Sequence, residues 1–275
     1  MSVLALLLTL TAVPGQAVYV AVPDRDSLEA VTLSWGSQEV SLVDAGDHWY
    51  GLLGVDLDVA PDSYKLAVSY RYENQAVADE AVTLDVVGKD YPTTRLTVEP
   101  KYVALSEENQ QRAAAERKQI RKAYASSNSA PYWSEGFAVP IPGEVGGRNF
   151  GHRRVFNEQP RAPHSGADLT AKTGTEIYST NDGKVLLTGD FFFNGKAVFV
   201  DHGMGVISMY LHLSEILVED GDAVAKGQLL GLAGATGRVT GPHLHWGVRV
   251  GGARVDPFSL PGIDTEADFS GPASD

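Results

Sequence analysis

Apolar and polar positions alternate with a period of two along much of the chain, and clusters of Asp, Gly and Pro interrupt the alternation at short intervals. Residues 18–22, 31–35, 64–70 and 81–87 carry β-branched or alternating apolar side chains between such clusters, which predicts strands. Short strands at that spacing predict a small immunoglobulin-like β-sandwich over residues 18–104. The pattern then changes. Ser106 is placed to cap a helix, Glu107 and Glu108 fall in its first turn, and Ala113, Ala114 and Ala115 precede Arg117, Lys118, Arg121 and Lys122. That order of charge and propensity predicts a helix to about Tyr124, with a thin apolar stripe suited to a solvated brace. Residues 125–131, rich in Ser, Asn and Ala, then form the end of a helical linker spanning 105–134. Strand patterns return in residues 184–187, 197–200, 205–211, 228–230 and 245–250, and none of this part shows sustained helical periodicity. The expected fold class is mainly β: an N-terminal sandwich, a helical linker and an antiparallel β domain over residues 135–262. Residues 263–275 read as a disordered tail.

The first residues read differently. Residues 3–13 are an uncharged apolar run, shorter than the roughly 20 residues that span a membrane. Small residues at Gly15 and Ala17 fit cleavage after Ala17, so residues 1–17 are expected to be a signal peptide. The mature protein is then exported, to a periplasm or outside the cell, with no stable membrane span.

Charge narrows the partners. The chain of 275 residues has 35 acidic and 22 basic side chains, a formal net charge of −13. Residues 18–104 carry −9 of it, residues 105–134 carry +2 and residues 135–262 carry −2. An acidic chain lacks the footprint of nucleic-acid binding, and the basic helix has no interleaved aromatic residues. The absence of cysteine excludes disulfides, thiolate metal sites and cysteine nucleophiles. Gly231 to Gly237 is glycine-rich but lacks the Gly-Lys-Ser/Thr ending of a phosphate-binding loop, so tight β-turns are expected there.

The histidines carry the candidate chemistry. His164 and Asp168 lie in Pro163-His164-Ser165-Gly166-Ala167-Asp168, whose Pro and Gly favour a loop or strand edge. His243 and His245 lie in Gly241-Pro242-His243-Leu244-His245-Trp246. On a strand they face one side, about 7 Å apart, with Leu244 facing the other. His212 accompanies a further strand. Imidazole nitrogen and carboxylate oxygen suit one borderline metal ion, and three protein ligands with an open position define a catalytic zinc site. The spacing leaves open which of these histidines bind the metal and which work beside it. His202, in Asp201-His202-Gly203, reads as a structural turn histidine, and His48 as a surface or packing residue. His152 reads as part of a solvated loop with Arg153 and Arg154. These arginines, with Arg161 and Arg238, can contact substrate carboxylates or simply coat the rim. Tyr210, two residues before His212, can share its face.

The order H-x-x-x-D, Tyr-x-His and Gly-Pro-His-Leu-His-Trp resembles the lysostaphin-type M23 zinc metallopeptidases. Around these motifs the resemblance extends through Phe156 to Arg161, Asp201-His202-Gly203, Gly221-Asp222, Lys226-Gly227-Gln228 and Ala235 to Gly241, covering roughly residues 140–260. It implies an antiparallel β groove, with His164, Asp168 and His245 as zinc ligands and His212 and His243 as the catalytic pair flanking the attacking water. It implies hydrolysis of peptide cross-links in peptidoglycan, and peptidoglycan peptides as the partner. Some relatives have lost ligands and serve as non-hydrolytic wall-binding proteins or activators of other hydrolases; here all five positions are filled.

Overall fold

The computed structural model describes residues 9–99, 105–143 and 146–263. Residues 1–8 of the expected signal peptide and 264–275 of the expected tail lie outside the described residues. The N-terminal part contains β1 (Thr9–Ala12), β2 (Gln16–Pro23), β3 (Leu28–Trp35), β4 (Gln38–Ser41), β5 (Val43–Asp44), β6 (His48–Val55), β7 (Asp62–Tyr72) and β8 (Val77–Val86). One sheet has the order β1-β8-β7-β3-β4 and the other β2-β6-β5. Val31, Leu33, Leu66 and Leu84 of the first sheet meet Val20, Trp49, Leu53 and Val55 of the second in one core. Each alternating strand thus buries one face, which makes a two-layer sandwich. The four strands read from the sequence all form. Strand β6 lacks clean alternation because its second face is covered too: Leu52 joins the core of the C-terminal unit, and Gly54 lies against the Val250 carbonyl there.

Residues 9–12 of the apolar run form β1, paired in parallel with β8 from Thr9↔Thr83 to Ala12↔Val86. Ala17 is buried in β2. The turn between them is bonded on three sides: Gly15 N donates to Val55 O (2.8 Å), Asp256 N to Gly15 O (2.6 Å) and Tyr91 Oη to Pro14 O (2.6 Å). Cutting after Ala17 would remove the edge strand β1, the start of β2 and the turn that ties the sandwich to residue 256. A chain starting at Val18 is therefore expected to melt roughly 5 °C or more below one that keeps residues 9–17, as thermal unfolding would show.

Helix α1 (Glu107–Tyr124) follows β9 (Thr93–Leu96). Ser106 caps it, its side chain accepting from Asn109 N. It is more than a solvated brace, because Ile120, Ala123 and Tyr124 pack on Leu187, Phe191, Phe199, Met209 and Leu211 of the following unit. Residues 125–131 are held as well. Ser127 Oγ and Asn128 N donate to the Asp201 carboxylate at 2.5 and 2.8 Å, and Met204 N donates to Asn128 O.

Strand β9 pairs in parallel with β10 (Arg153–Phe156), which pairs with β11 (Gln159–Arg161). A strand from before the helix thus completes a sheet after it, and the charge boundary near residue 104 is not a break in packing. Arg254 adds an ion pair to Asp56 across the same interface. The remaining strands are β12 (Gly166–Thr170), β13 (Glu176–Tyr178), β14 (Gly183–Phe191), β15 (Gly195–Asp201), β16 (Val206–Ile216), β17 (Ala223–Val224), β18 (Leu229–Ala233), β19 (His243–Val250) and β20 (Ala253–Val255). They form one antiparallel sheet whose main path is β12-β19-β16-β15-β14-β17. Its core holds Trp246, Tyr210, Phe137, Leu169 and Leu213, all essentially inaccessible to water.

Candidate metal centre and groove

Three neighbouring strands bring the histidines together. Strands β12 and β19 pair so that Asp168 lies opposite His245 and Thr170 opposite His243. On the other side of β19, Leu211 of β16 lies opposite His245. Leu244 and Trp246 alternate to the core face and are fully buried there, as a period of two requires. His164 enters from the loop just before β12.

The donor atoms of His164, Asp168 and His245 converge. His164 Nε2 lies 2.9 Å from Asp168 Oδ1 and 2.9 Å from His245 Nδ1, and His245 Nδ1 lies 2.8 Å from Asp168 Oδ1. Second partners orient these side chains. His164 Nδ1 donates to the Asn149 carbonyl at 3.0 Å, which leaves the lone pair on Nε2. Burial pushes the His164 pKa down to about 4, so the ring is neutral at pH 7. Burial works to raise the Asp168 carboxyl, but the imidazoles of His164 and His245 outweigh it and hold the carboxyl well below its usual range. A neutral Nε2 lone pair therefore faces a carboxylate oxygen, two acceptors with no proton to share. That arrangement fits a cation held by nitrogen and oxygen donors.

His212 and His243 stand beside this cluster. The ring centroid of His212 is 5.1 Å from that of His243 and 6.0 Å from that of His245. His243 Nε2 is 3.7 Å from Asp168 Oδ1. Both rings are pinned by carbonyls: His212 Nδ1 donates to Thr236 O at 2.8 Å and His243 Nδ1 to Gly241 O at 2.9 Å. Burial, then the neighbouring His245 and His243, push the His212 pKa down to about 3. With Nδ1 donating, Nε2 of the neutral His212 ring is left with a lone pair.

His212 reaches the groove by a break in the strand pattern. Plain alternation would place it on the core side with Tyr210. Instead His212 has φ +67°, in the left-handed region, and the β16 pairings slip on either side of it. Met209, Leu211 and His212 thus line the groove. Tyr210 points into the core, where its hydroxyl accepts from Thr180 N at 2.8 Å and from Ser208 Oγ at 3.0 Å. It packs and does not share the His212 face.

The other histidines fall elsewhere. His202 is fully buried, with Nδ1 2.7 Å from the Asp182 carbonyl and Nε2 2.8 Å from Ser208 Oγ, a structural role as expected. His48 pairs with Asp47 and Tyr19 on the sandwich. His152 is half-buried against Thr94 Oγ1 at 2.9 Å, so it is held between units and is not a free loop residue.

Asn149 escapes sequence reading, and Arg154, read there as a substrate contact or a rim residue, takes a different part. Asn149 holds two of the converging residues from outside: its carbonyl orients His164, its Nδ2 donates to Asp168 Oδ2 at 3.2 Å, and its Oδ1 accepts from Asp168 N at 3.0 Å. Arg154 donates to Asp168 Oδ2 at 2.6 Å, so it supports that carboxylate from behind. Neither shares a spacing motif with the histidines. Gly166 is fixed by space: a Cβ there would lie 2.6 Å from His245 Nε2 and 2.6 Å from the Trp246 carbonyl. Gly166→Ala is expected to displace His245 and weaken metal retention by about 10-fold or more, measurable by competition with a chelating dye.

Residues 162–257 match the model of peptidase family M23. A crystal structure assigned to peptidase M23 from Pseudomonas aeruginosa is 33% identical, covers 89% of this chain and 92% of that one, and has a TM-score of 0.64. The chain therefore belongs to peptidase family M23. Among named relatives, the peptidoglycan DD-endopeptidase ShyA of Vibrio cholerae is 45% identical over 109 residues, which are 39% of this chain and 25% of that protein. The DD-carboxypeptidase/endopeptidase Mpg of Neisseria meningitidis is 39% identical over 97 residues, 35% of this chain and 22% of that protein. The matched part thus spans about a quarter of each of these relatives.

Proposed function

We propose that the chain is a zinc-dependent endopeptidase that hydrolyses peptide cross-links in peptidoglycan. The observation that carries this reading is the convergence of His164, Asp168 and His245, with two further histidines pinned beside them. Membership of the family and the activities named for its Vibrio and Neisseria relatives point to the same substrate. In this reading His164, Asp168 and His245 hold the ion. Zinc, when bound, supplies Lewis-acid polarisation of the scissile carbonyl and lowers the pKa of water to about 7. His212 and His243 do the proton work. Each has its Nδ1 proton committed to a carbonyl, so each can accept a proton only at Nε2. One takes the proton of the attacking water. The other, holding at Nε2 a proton drawn from solvent, hydrogen-bonds the oxygen of the tetrahedral carbon, and the proton taken from the water passes to the amine nitrogen as the C–N bond breaks. A chain with all five positions filled fits the enzyme and not a non-hydrolytic activator. Peptidoglycan lies outside the cytoplasm, so the chain acts in a periplasm or beyond the cell. Among the described residues no helix is long and apolar enough to cross a membrane.

Purified cross-linked peptidoglycan, digested with and without chelator and resolved by mass, tests the reading. Release of monomers from cross-linked dimers that chelator stops is the expected result. Intact dimers after incubation with the zinc-loaded chain would overturn it.

A further inference from the structure

The glycine-rich residues 231–237, which the sequence marks only as tight turns, reach both histidines that stand beside the candidate metal centre. Gly234 O accepts from His243 N at 3.2 Å, and the two residues form a single antiparallel bridge. Two residues further on, Thr236 O accepts from His212 Nδ1 at 2.8 Å. One short stretch of chain thus holds the backbone of one histidine and the ring of the other, whose ring centroids are 5.1 Å apart.

His212 needs such a hold. Tyr210 of β16 lies opposite Val198 of β15 and Leu213 lies opposite Lys196, so Leu211 and His212 together stand against Ala197 alone. That is a β-bulge, and it disrupts the ladder locally. His212 sits in it at φ +67°, a conformation that costs free energy for a residue other than glycine and persists only where its surroundings fix it. On one side His212 N donates to Asn194 O at 2.9 Å. On the other the Thr236 hydroxyl closes the bulge. Its Oγ1 accepts from Lys196 N at 2.9 Å and donates to Leu213 O at 2.8 Å, so it bridges the two residues that face each other at the end of the bulge. The segment is itself docked closely. Arg238 N donates to Phe193 O at 2.9 Å, and a Cβ on Gly237 would lie 2.6 Å from that same carbonyl oxygen.

We infer that residues 234–237 set the two histidines against each other, and that Thr236 is the positioning residue through which this segment acts. The inference rests on the peptidase reading of the same site and adds a residue to it. Thr236 does not line the groove, so its hydroxyl acts through His212 and not on substrate. Without that hydroxyl, Lys196 N and Leu213 O each lose a partner, the bulge loosens, and the carbonyl that orients the His212 ring moves with it. A misplacement of about 1 Å in a reacting group can cost on the order of 10²-fold in rate.

The test uses the full, zinc-loaded chain and a synthetic cross-linked peptide. Thr236→Val keeps the shape of the side chain and removes the hydroxyl, and Thr236→Ser keeps the hydroxyl. Thr236→Val is expected to lower kcat by about 10- to 100-fold, with KM within about twofold and metal content unchanged, while Thr236→Ser stays within about threefold of the parent. Thr236→Ala removes the hydroxyl without setting a methyl group against Lys196 N; it is expected to fall with the valine variant and takes its place if that variant does not fold. Parent turnover without the hydroxyl, a serine variant as slow as the valine one, or loss of metal together with kcat would overturn the inference. The imidazole Nδ1–H resonance of His212, assigned against His212→Ala, separates this from the peptidase reading. It should be sharp in the parent and in Thr236→Ser and broadened by exchange in Thr236→Val. If no form cuts the peptide but the resonance follows the hydroxyl, the peptidase reading fails and the positioning of His212 stands. A resonance unchanged across the variants removes the positioning role.

Discussion

Replacing Asp168 by alanine is expected to remove the metal and the activity together. Asp168 Oδ1 lies within 2.9 Å of both His164 Nε2 and His245 Nδ1, so it is the point on which the donor set closes. Its carboxylate is also the only negative charge in the set, and without it two protein donors remain where a catalytic zinc site uses three. Loss of a supporting partner commonly costs 10- to 100-fold in metal affinity, so loss of the ligand is expected to cost at least about 100-fold. Metal content after dialysis and kcat/KM on peptidoglycan dimers should fall in parallel. The fold should survive, because Asp168 is only half-buried and the apolar residues beside it, Ala167 and Leu169, keep β12 in the core. Retained metal at wild-type stoichiometry in Asp168→Ala would show that the ion sits elsewhere.

His212→Ala and His243→Ala are expected to separate chemistry from metal binding. Neither ring belongs to the converging triad, so each variant should keep its metal. Each should lose about 10²- to 10⁴-fold in kcat, the range for removing a positioned base or an oxyanion donor. The double variant should lose little more than the worse single one, because groups that act as a unit are not additive. The His212 variant carries a second effect of the opposite sign. Its left-handed backbone, φ +67°, is strained for alanine as for histidine, so His212→Gly should relax the strand while remaining inactive. Unfolding midpoints that rank Gly at or above Ala at position 212, with both inactive, would match. Wild-type turnover in either histidine variant would remove the assigned role.

How much of this was legible in the chain differs from element to element. Helix α1 was, to the residue, because capping at Ser106 and the charge order along it are local signals. Strands β2, β3, β7 and β8 were legible because each buries one face and exposes the other. Strand β6 was hidden because both its faces are covered, one by the sandwich and one by the C-terminal unit, which erases the alternation. The apolar run at residues 3–13 resembles a leader in composition. Only the parallel partner β8 makes strand β1 of its described part, and such a partner lies more than seventy residues away.

The candidate site divides in the same way. By itself the sequence determined the residue types, the H-x-H spacing that sets two rings on one strand face, and a family whose pattern singles out five positions. Tertiary structure alone decided the rest. Register between β12 and β19 sets Asp168 opposite His245. A left-handed residue turns His212 to the groove and leaves Tyr210 in the core. Asn149 and Arg154 reach Asp168 across the fold, and α1 brings Arg117 to the groove wall. The physical reason is one of range: capping, charge order and strand alternation act over a few residues, while register, backbone strain and ligand support depend on segments that meet only after the chain has folded.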